Sequence, residues 1–268
     1  MSKIKLLISL IIISLVLINC ADSNSTTNEP EDINDYSDNI SEFFPVNVGN
    51  SFKYNVDTLN SSTSNYENLG TRQVTVSNHG TESNYDYFLC DEAYNLKESI
   101  FSSFSKFKIT ENSLEFYADT AGINSLIPDS LDMEISLNLD ETFLLVSYPF
   151  ENAGEWTAYK GSINFGAFKL NIITALGQYV GKEAVQLSEL SKTVNAEKFK
   201  YSISINFPDI NNPLSSNFKN YEAYVWFSQE YGVVKLEGCA LFINPITGNK
   251  FNESDSNKVI RHTLISAN

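Results

Sequence analysis

Short runs of alternating apolar and polar residues recur along most of this chain. Three of them, Ser51–Asp57, Arg72–Val76 and Leu131–Leu139, alternate residue by residue. Successive side chains of a β-strand point to opposite faces, so this period-two pattern is typical of strands with one buried face. Further runs of this kind are Phe168–Ile173, Lys198–Phe207, Tyr221–Ser228, Gly232–Glu237 and Lys258–Ile265. Together they predict an antiparallel sheet that is covered on one side.

The segments between these runs predict turns and very little helix. The runs Ser105–Thr110 and Ser113–Tyr117 flank a polar pair, Glu111 and Asn112, and so predict a tight hairpin. The best candidates for helices are two short segments, 119–126 and 181–190. We therefore expect an all-β fold, a large curved antiparallel sheet or half-barrel with one or two short helices.

The first nineteen residues have the composition of a secretory signal. Lys3 and Lys5 precede an apolar run, Leu6–Ile18, which is shorter than the roughly 20 residues that a membrane-spanning helix needs. The run ends in Leu17-Ile18-Asn19-Cys20, which resembles the bacterial lipoprotein signal, although Asn19 stands where a small residue is usual. The resemblance implies that residues 1–19 are a signal peptide and that Cys20 carries a lipid. An uncleaved signal anchor and an ordinary cleaved signal are the alternatives.

The segment after Cys20 predicts a tether. Residues 20–40 are rich in Asp, Ser, Asn, Thr and Glu and nearly free of large apolar side chains. Such a segment cannot bury enough surface to offset the entropy of ordering it. The hydrophobic runs then continue without a second linker, so we expect one β domain over residues 41–268, a length ordinary for a sandwich or barrel.

The charge of the chain restricts its partners. It carries 33 acidic and 18 basic residues, a formal net charge of −15 at pH 7. Nucleic acids and anionic lipid headgroups would be repelled, so we expect no nucleic-acid partner. The lipid on Cys20, rather than a basic patch, would hold the protein to a membrane. Ala21 follows Cys20, and the resemblance to Gram-negative lipoproteins implies the outer membrane, facing either the periplasm or the exterior.

Two further cysteines, Cys90 and Cys239, leave two interpretations open. Outside the cytoplasm two cysteines are compatible with a disulfide, which would close most of the domain into one loop. Both also lie beside apolar, strand-like runs, where they would be separate buried thiols.

No motif in the sequence predicts catalysis. His79 lies in a polar stretch that predicts a turn, and His262 lies in the last predicted strand. The chain has no His-x-x-x-His or Cys-x-x-Cys spacing, no Gly-x-Ser-x-Gly elbow and no glycine-rich phosphate loop. We therefore expect no catalytic residue, no metal site and no cofactor.

Aromatic residues are the remaining signal, at 13% of the chain. Aromatic side chains favour strands and cover large sheets, so a packed core explains most of them. The alternative is an apolar groove on the concave face of the sheet, suited to a hydrophobic ligand. The candidate lining residues are Phe52, Tyr54, Trp156 and Trp226.

Two segments resemble a family of exported bacterial lipoproteins. Phe43–Tyr54 is similar to the "FFPL-x-VGN-x-W-x-Y" opening of such proteins in Bacteroidetes and Chlorobi, with Phe52 in place of Trp. The segments Ala223–Ser228 and Tyr231–Lys235 resemble their "W-F-(A/S)-x-x-x-G-(V/L)-V-K" hairpin, which is also found in proteins similar to the lipoprotein carriers LolA and LolB. This resemblance implies an unclosed antiparallel barrel around a hydrophobic cavity.

These observations predict a cell-envelope lipoprotein that acts as a non-catalytic binding or structural module and holds a hydrophobic ligand in its half-barrel. Two alternatives belong to other classes. One is an envelope hydrolase acting on glycans or lipids, and the other is an adhesion or assembly subunit without a small ligand.

Overall fold

A computed structural model describes residues 40–44, 46–82, 85–118, 135–150, 154–165, 168–209 and 212–268, which all belong to one compact unit, Ser37–Asn268. The predicted all-β fold is confirmed, because the strands of these residues form a single antiparallel sheet that is not closed. The signal peptide, Cys20, the tether up to residue 39 and the predicted helix at 119–126 lie outside the described residues.

The sheet contains thirteen strands within the described part of the chain. Their bounds are β1 Ser51–Asn60, β2 Asn65–Glu82, β3 Tyr85–Leu96, β4 Ile100–Ile109, β5 Ser113–Tyr117, β6 Ile135–Leu139, β7 Thr142–Ser147, β8 Glu155–Phe165, β9 Phe168–Leu187, β10 Lys192–Asp209, β11 Asn212–Ser228, β12 Gly232–Cys239 and β13 Val259–Ala267. They neighbour one another in the order β6-β8-β9-β10-β11-β12-β13-β1-β2-β3-β4-β5-β7.

The alternating runs form strands because their apolar side chains, at every second position, face a shared core. On β1, for example, Phe52, Tyr54 and Val56 are buried and alternate with more exposed residues. The predicted hairpin of β4 and β5 is also confirmed, with Phe107 paired to Phe116. One neighbouring prediction is wrong: His79 lies within β2, paired with Phe88, rather than in a turn.

The two edge strands of the sheet are consecutive in the chain. β6 pairs with β8, and after Asp140 and Glu141 the chain continues as β7, which pairs with β5. The side chain of Asp140 extends the pairing with β8, since its Oδ2 accepts from the backbone N–H of Lys160 at 2.8 Å. Beyond that point β7 and the first half of β8 have no backbone pairing between them. We call the line between them the seam.

Among the described residues, the α-helix lies at a position that the sequence did not predict. α1, Ala240–Ile246, directly follows β12, and most of its residues are buried. The ring of Phe242 stacks on Tyr201 at 4.9 Å and contacts Phe143 edge-on. α1 therefore packs against one face of the sheet, which we call the inner face; the opposite face is the outer face.

The predicted helix at Gly181–Leu190 is wrong. β9 continues through these residues to Leu187, and only Ser188–Leu190 form a 3₁₀ turn. A smaller difference concerns the start of the domain. Ile40, the last residue assigned to the tether, is 1% exposed and belongs to the core. No helix among the described residues is long and apolar enough to cross a membrane.

Candidate functional site: the inner face of the sheet

The inner face holds two apolar cavities that share α1 as a wall. The first, cavity 1, has a volume of about 50 Å³ and is lined by aromatic and aliphatic side chains together with Leu241, Phe242 and Pro245 of α1. The second, cavity 2, has a volume of about 40 Å³ and reaches Ile246. Room for a water molecule takes roughly 10–15 Å³ on this scale, so both cavities are small and the interior is largely filled.

Four tyrosines of the inner face show how its polar groups are satisfied. The hydroxyl of Tyr54 donates to the carbonyl of Val233 at 2.8 Å, and Tyr94 donates to Thr247 at 2.7 Å. Tyr201 donates to the carbonyl of Leu145. Tyr159, which lines cavity 1, differs, since its buried hydroxyl has no hydrogen-bond partner among the described residues.

Burial is the main cause of the raised pKa of Tyr159, so this phenol stays protonated at neutral pH. It therefore keeps a proton to donate. A buried hydroxyl without a partner costs about 1–3 kcal/mol, which a ligand acceptor in cavity 1 would recover. Cavity 1 thus combines an apolar lining with one unsatisfied donor.

A buried ion pair lies on the same face, near cavity 2. Arg72 and Glu92 are 4% and 1% exposed and form a bidentate pair, with Nε 2.7 Å from Oε2 and Nη2 2.9 Å from Oε1. Ser105 donates a third hydrogen bond to Glu92 Oε1 at 2.7 Å. The guanidinium also lies over the ring of Tyr54, 5.1 Å from its centroid.

The geometry keeps the guanidinium of Arg72 ionised. Burial is the largest single influence and lowers the pKa of Arg72, but the charge and hydrogen bond of Glu92 and the nearby Tyr94 and Tyr54 together raise it by more, so the net pKa is above the usual value for arginine. Neighbouring groups stay neutral. Burial, and then the charge of Arg72, hold the pKa of His262 well below 6.5, and burial raises the pKa of the Cys90 thiol to about 12. These groups form a fixed structural cluster rather than a proton-transfer site.

This ion pair was not predicted from the sequence, although a signal for it was present. Arg72 is in phase with Val74 and Val76, and Glu92 is in phase with Cys90, so both charges occupy the buried positions of their strands. When two strands each carry a charged residue at a buried position, the two charges are expected to pair, because burying an isolated charge costs much free energy.

The predicted lining residues do not come together. Phe52 and Tyr54 line cavity 2. Trp156 lies at the seam, where its indole Nε1 donates to the carbonyl of Leu144 at 3.1 Å. Its ring covers Gly177, since a Cβ placed there would be 2.4 Å from the indole. Trp156 therefore bridges the seam with one side-chain hydrogen bond and does not line either of these cavities.

Trp226, the fourth candidate, is not among the residues that line cavity 1 or cavity 2. Its neighbour Val225 lines cavity 2, so Trp226 points to the outer face. There its ring lies between the ammonium groups of Lys198, at 5.0 Å, and Lys235, at 4.2 Å. The sequence did not distinguish the two faces here, because both carry an aromatic or aliphatic residue in this part of β11.

The open question about the cysteines is answered by two buried free thiols. Cys90 lines cavity 2, whereas Cys239 lines cavity 1 and donates to the carbonyl of Ser256 at 3.5 Å. Of the two interpretations that the sequence left open, the structure therefore has the second, in which each cysteine packs as a small apolar residue in a separate part of the core.

The described residues also place the two histidines apart. His79 is on an exposed part of β2, stacked on Phe88 at 4.6 Å, with Asp86 Oδ1 3.5 Å from its Nε2. His262 is buried on the inner face. Within the described part of the chain, no three His, Cys, Asp or Glu side chains are grouped so that they could hold a metal ion.

Comparison with known proteins gives distant likenesses among solved structures. A candidate lipoprotein from Parabacteroides distasonis is 13% identical, with a TM-score of 0.48, over 84% of this chain and 98% of its own. A candidate exported protein with a YmcC-like fold from Bacteroides fragilis is 11% identical, with a TM-score of 0.46, over 83% of this chain and 96% of its own. The hypothetical lipoprotein YmcC from Escherichia coli is 8% identical, with a TM-score of 0.30, over 84% and 87%. No protein-family model and no curated protein matches the sequence.

Proposed function

We propose that this protein is a cell-envelope lipoprotein, held to a membrane by lipid on Cys20, whose β domain is a non-catalytic binding module. Its ligand is hydrophobic and occupies cavity 1 on the inner face. The observation that supports this most directly is the unsatisfied hydroxyl of Tyr159 beside an otherwise apolar, aromatic lining. That combination suits a ligand with an apolar end and one hydrogen-bond acceptor.

The volume of cavity 1 limits the part of the ligand that fits inside it. About 50 Å³ accepts a group of a few heavy atoms, such as the end of an acyl chain. A longer insertion would have to displace Leu241 and Phe242 of α1. The proposal is therefore that the protein holds the tip of a hydrophobic molecule rather than enclosing a whole lipid.

The placement of the histidines supports a role without catalysis. His262 is buried and held neutral beside Arg72, so it has no access to a substrate. His79 packs on Phe88 at an exposed strand position, outside both inner cavities. A hydrolase would need one of these groups, or an acid pair, in a cleft.

Native mass spectrometry of the mature lipoprotein, purified gently from its own host, tests this function. We expect an added mass of a few hundred daltons that is lost on denaturation. Tyr159→Phe removes only the hydroxyl, and Ala118→Leu narrows the cavity, so both variants should carry less of this mass. Ala93→Leu makes the same change at an exposed position and serves as the control. A clean apo mass, or equal retention in all variants, would reject the proposal.

A second candidate, an assembly subunit, is favoured by an exposed apolar pair on the outer face of β4. Ile100 and Phe104 are 81% and 77% exposed and point to the same side of the strand. If this pair binds an envelope protein, Ile100→Ser/Phe104→Ser should abolish a specific cross-linked product in intact cells. An unchanged cross-linking pattern would remove this candidate.

A further inference from the structure

A two-stranded arm extends from the sheet at β9 and β10. β10 pairs with β11 only from Glu197 onward, whereas its pairing with β9 continues back to Lys192. At the base of the arm Gly181 has φ +128°, and the register shifts between Lys198 and Phe199. A bulge of this kind bends a strand pair, and here it turns the arm out of the plane of the sheet.

The arm lies over the outer face of β12 and β13. Its 3₁₀ turn, Ser188–Leu190, contacts β13, and Lys192 Nζ is 2.7 Å from Glu230 Oε1. Glu183 of the arm lies beside Trp226, which is only 2% exposed although it belongs to the outer face. The arm also has a small apolar face of its own, formed by the buried residues Val185, Leu187, Val194 and Ala196.

A polar cleft remains between the arm and the sheet, with a volume of about 320 Å³. It is several times larger than either inner cavity and falls within the range of about 300–1,000 Å³ that is usual for small-molecule sites. Its polar side chains are Glu183, Gln186 and Ser188 from the arm and Lys235, Arg261 and Thr263 from the sheet.

The charges of the cleft are already compensated by close counter-ions. The pairs are Lys235–Glu237 at 2.8 Å, Arg261–Asp57 at 2.8 Å and Glu183–Lys198 at 2.7 Å. The hydrogen bond from Lys198 is the first cause of the lowered pKa of Glu183, so this carboxylate is ionised at neutral pH. A charged ligand would have to displace one of these partners, and a polyanion would also meet the net charge of −15.

We propose that this cleft binds a neutral saccharide, a site separate from the inner-face cavity of the proposed function. Hydroxyl groups both donate and accept hydrogen bonds, and the cleft offers both kinds of partner. Glu183 accepts, Lys235 and Arg261 donate, and the amide and hydroxyl of Gln186 and Thr263 do either. An apolar ligand would leave these groups without partners, which is costly.

Saturation-transfer difference NMR on the full-length chain in detergent tests the proposal. The probes are the methyl glycosides of glucose, galactose and N-acetylglucosamine, with glycine betaine and inorganic phosphate as charged comparisons; phosphate binding is followed by its ³¹P line width. We expect saturable signal from at least one glycoside. The variant Gln186→Ala/Thr263→Val removes two hydrogen-bonding groups and should weaken that binding about tenfold. Gln178→Ala/Thr71→Val makes the same chemical changes outside the cleft and should bind like the wild type.

Three results would overturn the proposal. The first is the absence of saturable signal from every glycoside. The second is binding that survives in the cleft variant, and the third is tighter binding of phosphate or betaine at the same residues. Because Tyr159 and Ala118 lie on the inner face, loss of the hydrophobic ligand in their variants leaves the saccharide result unaffected, and each proposal fails separately.

Discussion

Removing one partner of the buried Arg72–Glu92 pair should destabilise the fold far more than removing both. Arg72→Met leaves the carboxylate of Glu92 buried at 1% exposure, with only Ser105 donating to it. Glu92→Leu leaves the guanidinium buried at 4% exposure. In either case a charge loses its bidentate partner and cannot reach water, whereas Arg72→Met/Glu92→Leu leaves no charge at all.

The expected magnitudes follow from this burial. Leaving one ion of a buried pair uncompensated costs about 3–5 kcal/mol of the free energy of unfolding. Replacing the whole pair by apolar side chains is often close to neutral, so the double variant should lie within about 2 kcal/mol of the wild type. Arg72 and Glu92 should therefore be strongly coupled in a double-mutant cycle.

Urea unfolding at pH 7, followed by far-ultraviolet circular dichroism, measures the four free energies of the cycle. The control is the corresponding cycle at Lys200 and Glu222, an ion pair on the outer face whose side chains are 29% and 56% exposed. Exposed pairs contribute about 0–1 kcal/mol, so this control cycle should show little coupling.

The reasoning would be refuted in either of two ways. Single variants of Arg72 and Glu92 that lose less than about 1 kcal/mol would mean that their partners reach water, contrary to their burial. A double variant as unstable as the sum of the two single variants would mean that the pair is replaced poorly by apolar groups for reasons of shape rather than charge.

Three further predictions concern His262, Trp156 and Gly181. In the folded state burial and Arg72 hold the pKa of His262 well below the value near 6.5 of the unfolded chain, so the unfolded state takes up the proton first as the pH falls. The stabilisation from the neutral, buried imidazole of His262 is therefore complete above pH 6.5 and decreases below it, by up to about 1.4 kcal/mol per pH unit. His262→Gln should flatten this slope when the free energy of unfolding is measured by urea titration at several pH values, and an unchanged slope would contradict the burial of a neutral imidazole. Trp156→Phe removes the hydrogen bond to Leu144 across the seam and should lower the free energy of unfolding by about 1 kcal/mol. Backbone amide hydrogens of β7 and β8 should then exchange faster with solvent, and unchanged exchange would contradict the role of the indole. In Gly181→Ala the added Cβ contacts no atom within 4 Å, but alanine is strained at φ +128°, so the variant should lose about 1–3 kcal/mol of stability. Proteolysis of the arm should also become faster, and a cleavage rate equal to that of the wild type would contradict the proposed bend at Gly181.

The local alternation of apolar and polar residues was enough to predict most of the strands and the fold class. The face to which a strand residue points depends only on its position along the strand, so alternation such as that of Phe52, Tyr54 and Val56 is visible without any tertiary information. The hairpin of β4 and β5 was equally local, since a polar pair between two alternating runs was enough to predict it. The predictions about function had weaker support, because no local sequence motif specifies a ligand or a reaction.

Which residues contact each face of the sheet depends on the tertiary structure. The helix α1 is apolar on almost every side because it is enclosed by the sheet, and this pattern does not distinguish a buried helix from a buried strand. The segment Gly181–Leu190 has the pattern of a short helix, but it pairs with β10 up to Leu187 and ends in a 3₁₀ turn. Trp226 is buried on the outer face among residues of the arm and of neighbouring strands, and Arg72 meets Glu92 because β2 and β3 are neighbours. These features depend on strand order and on a bulge, and period-two alternation carries no information about either.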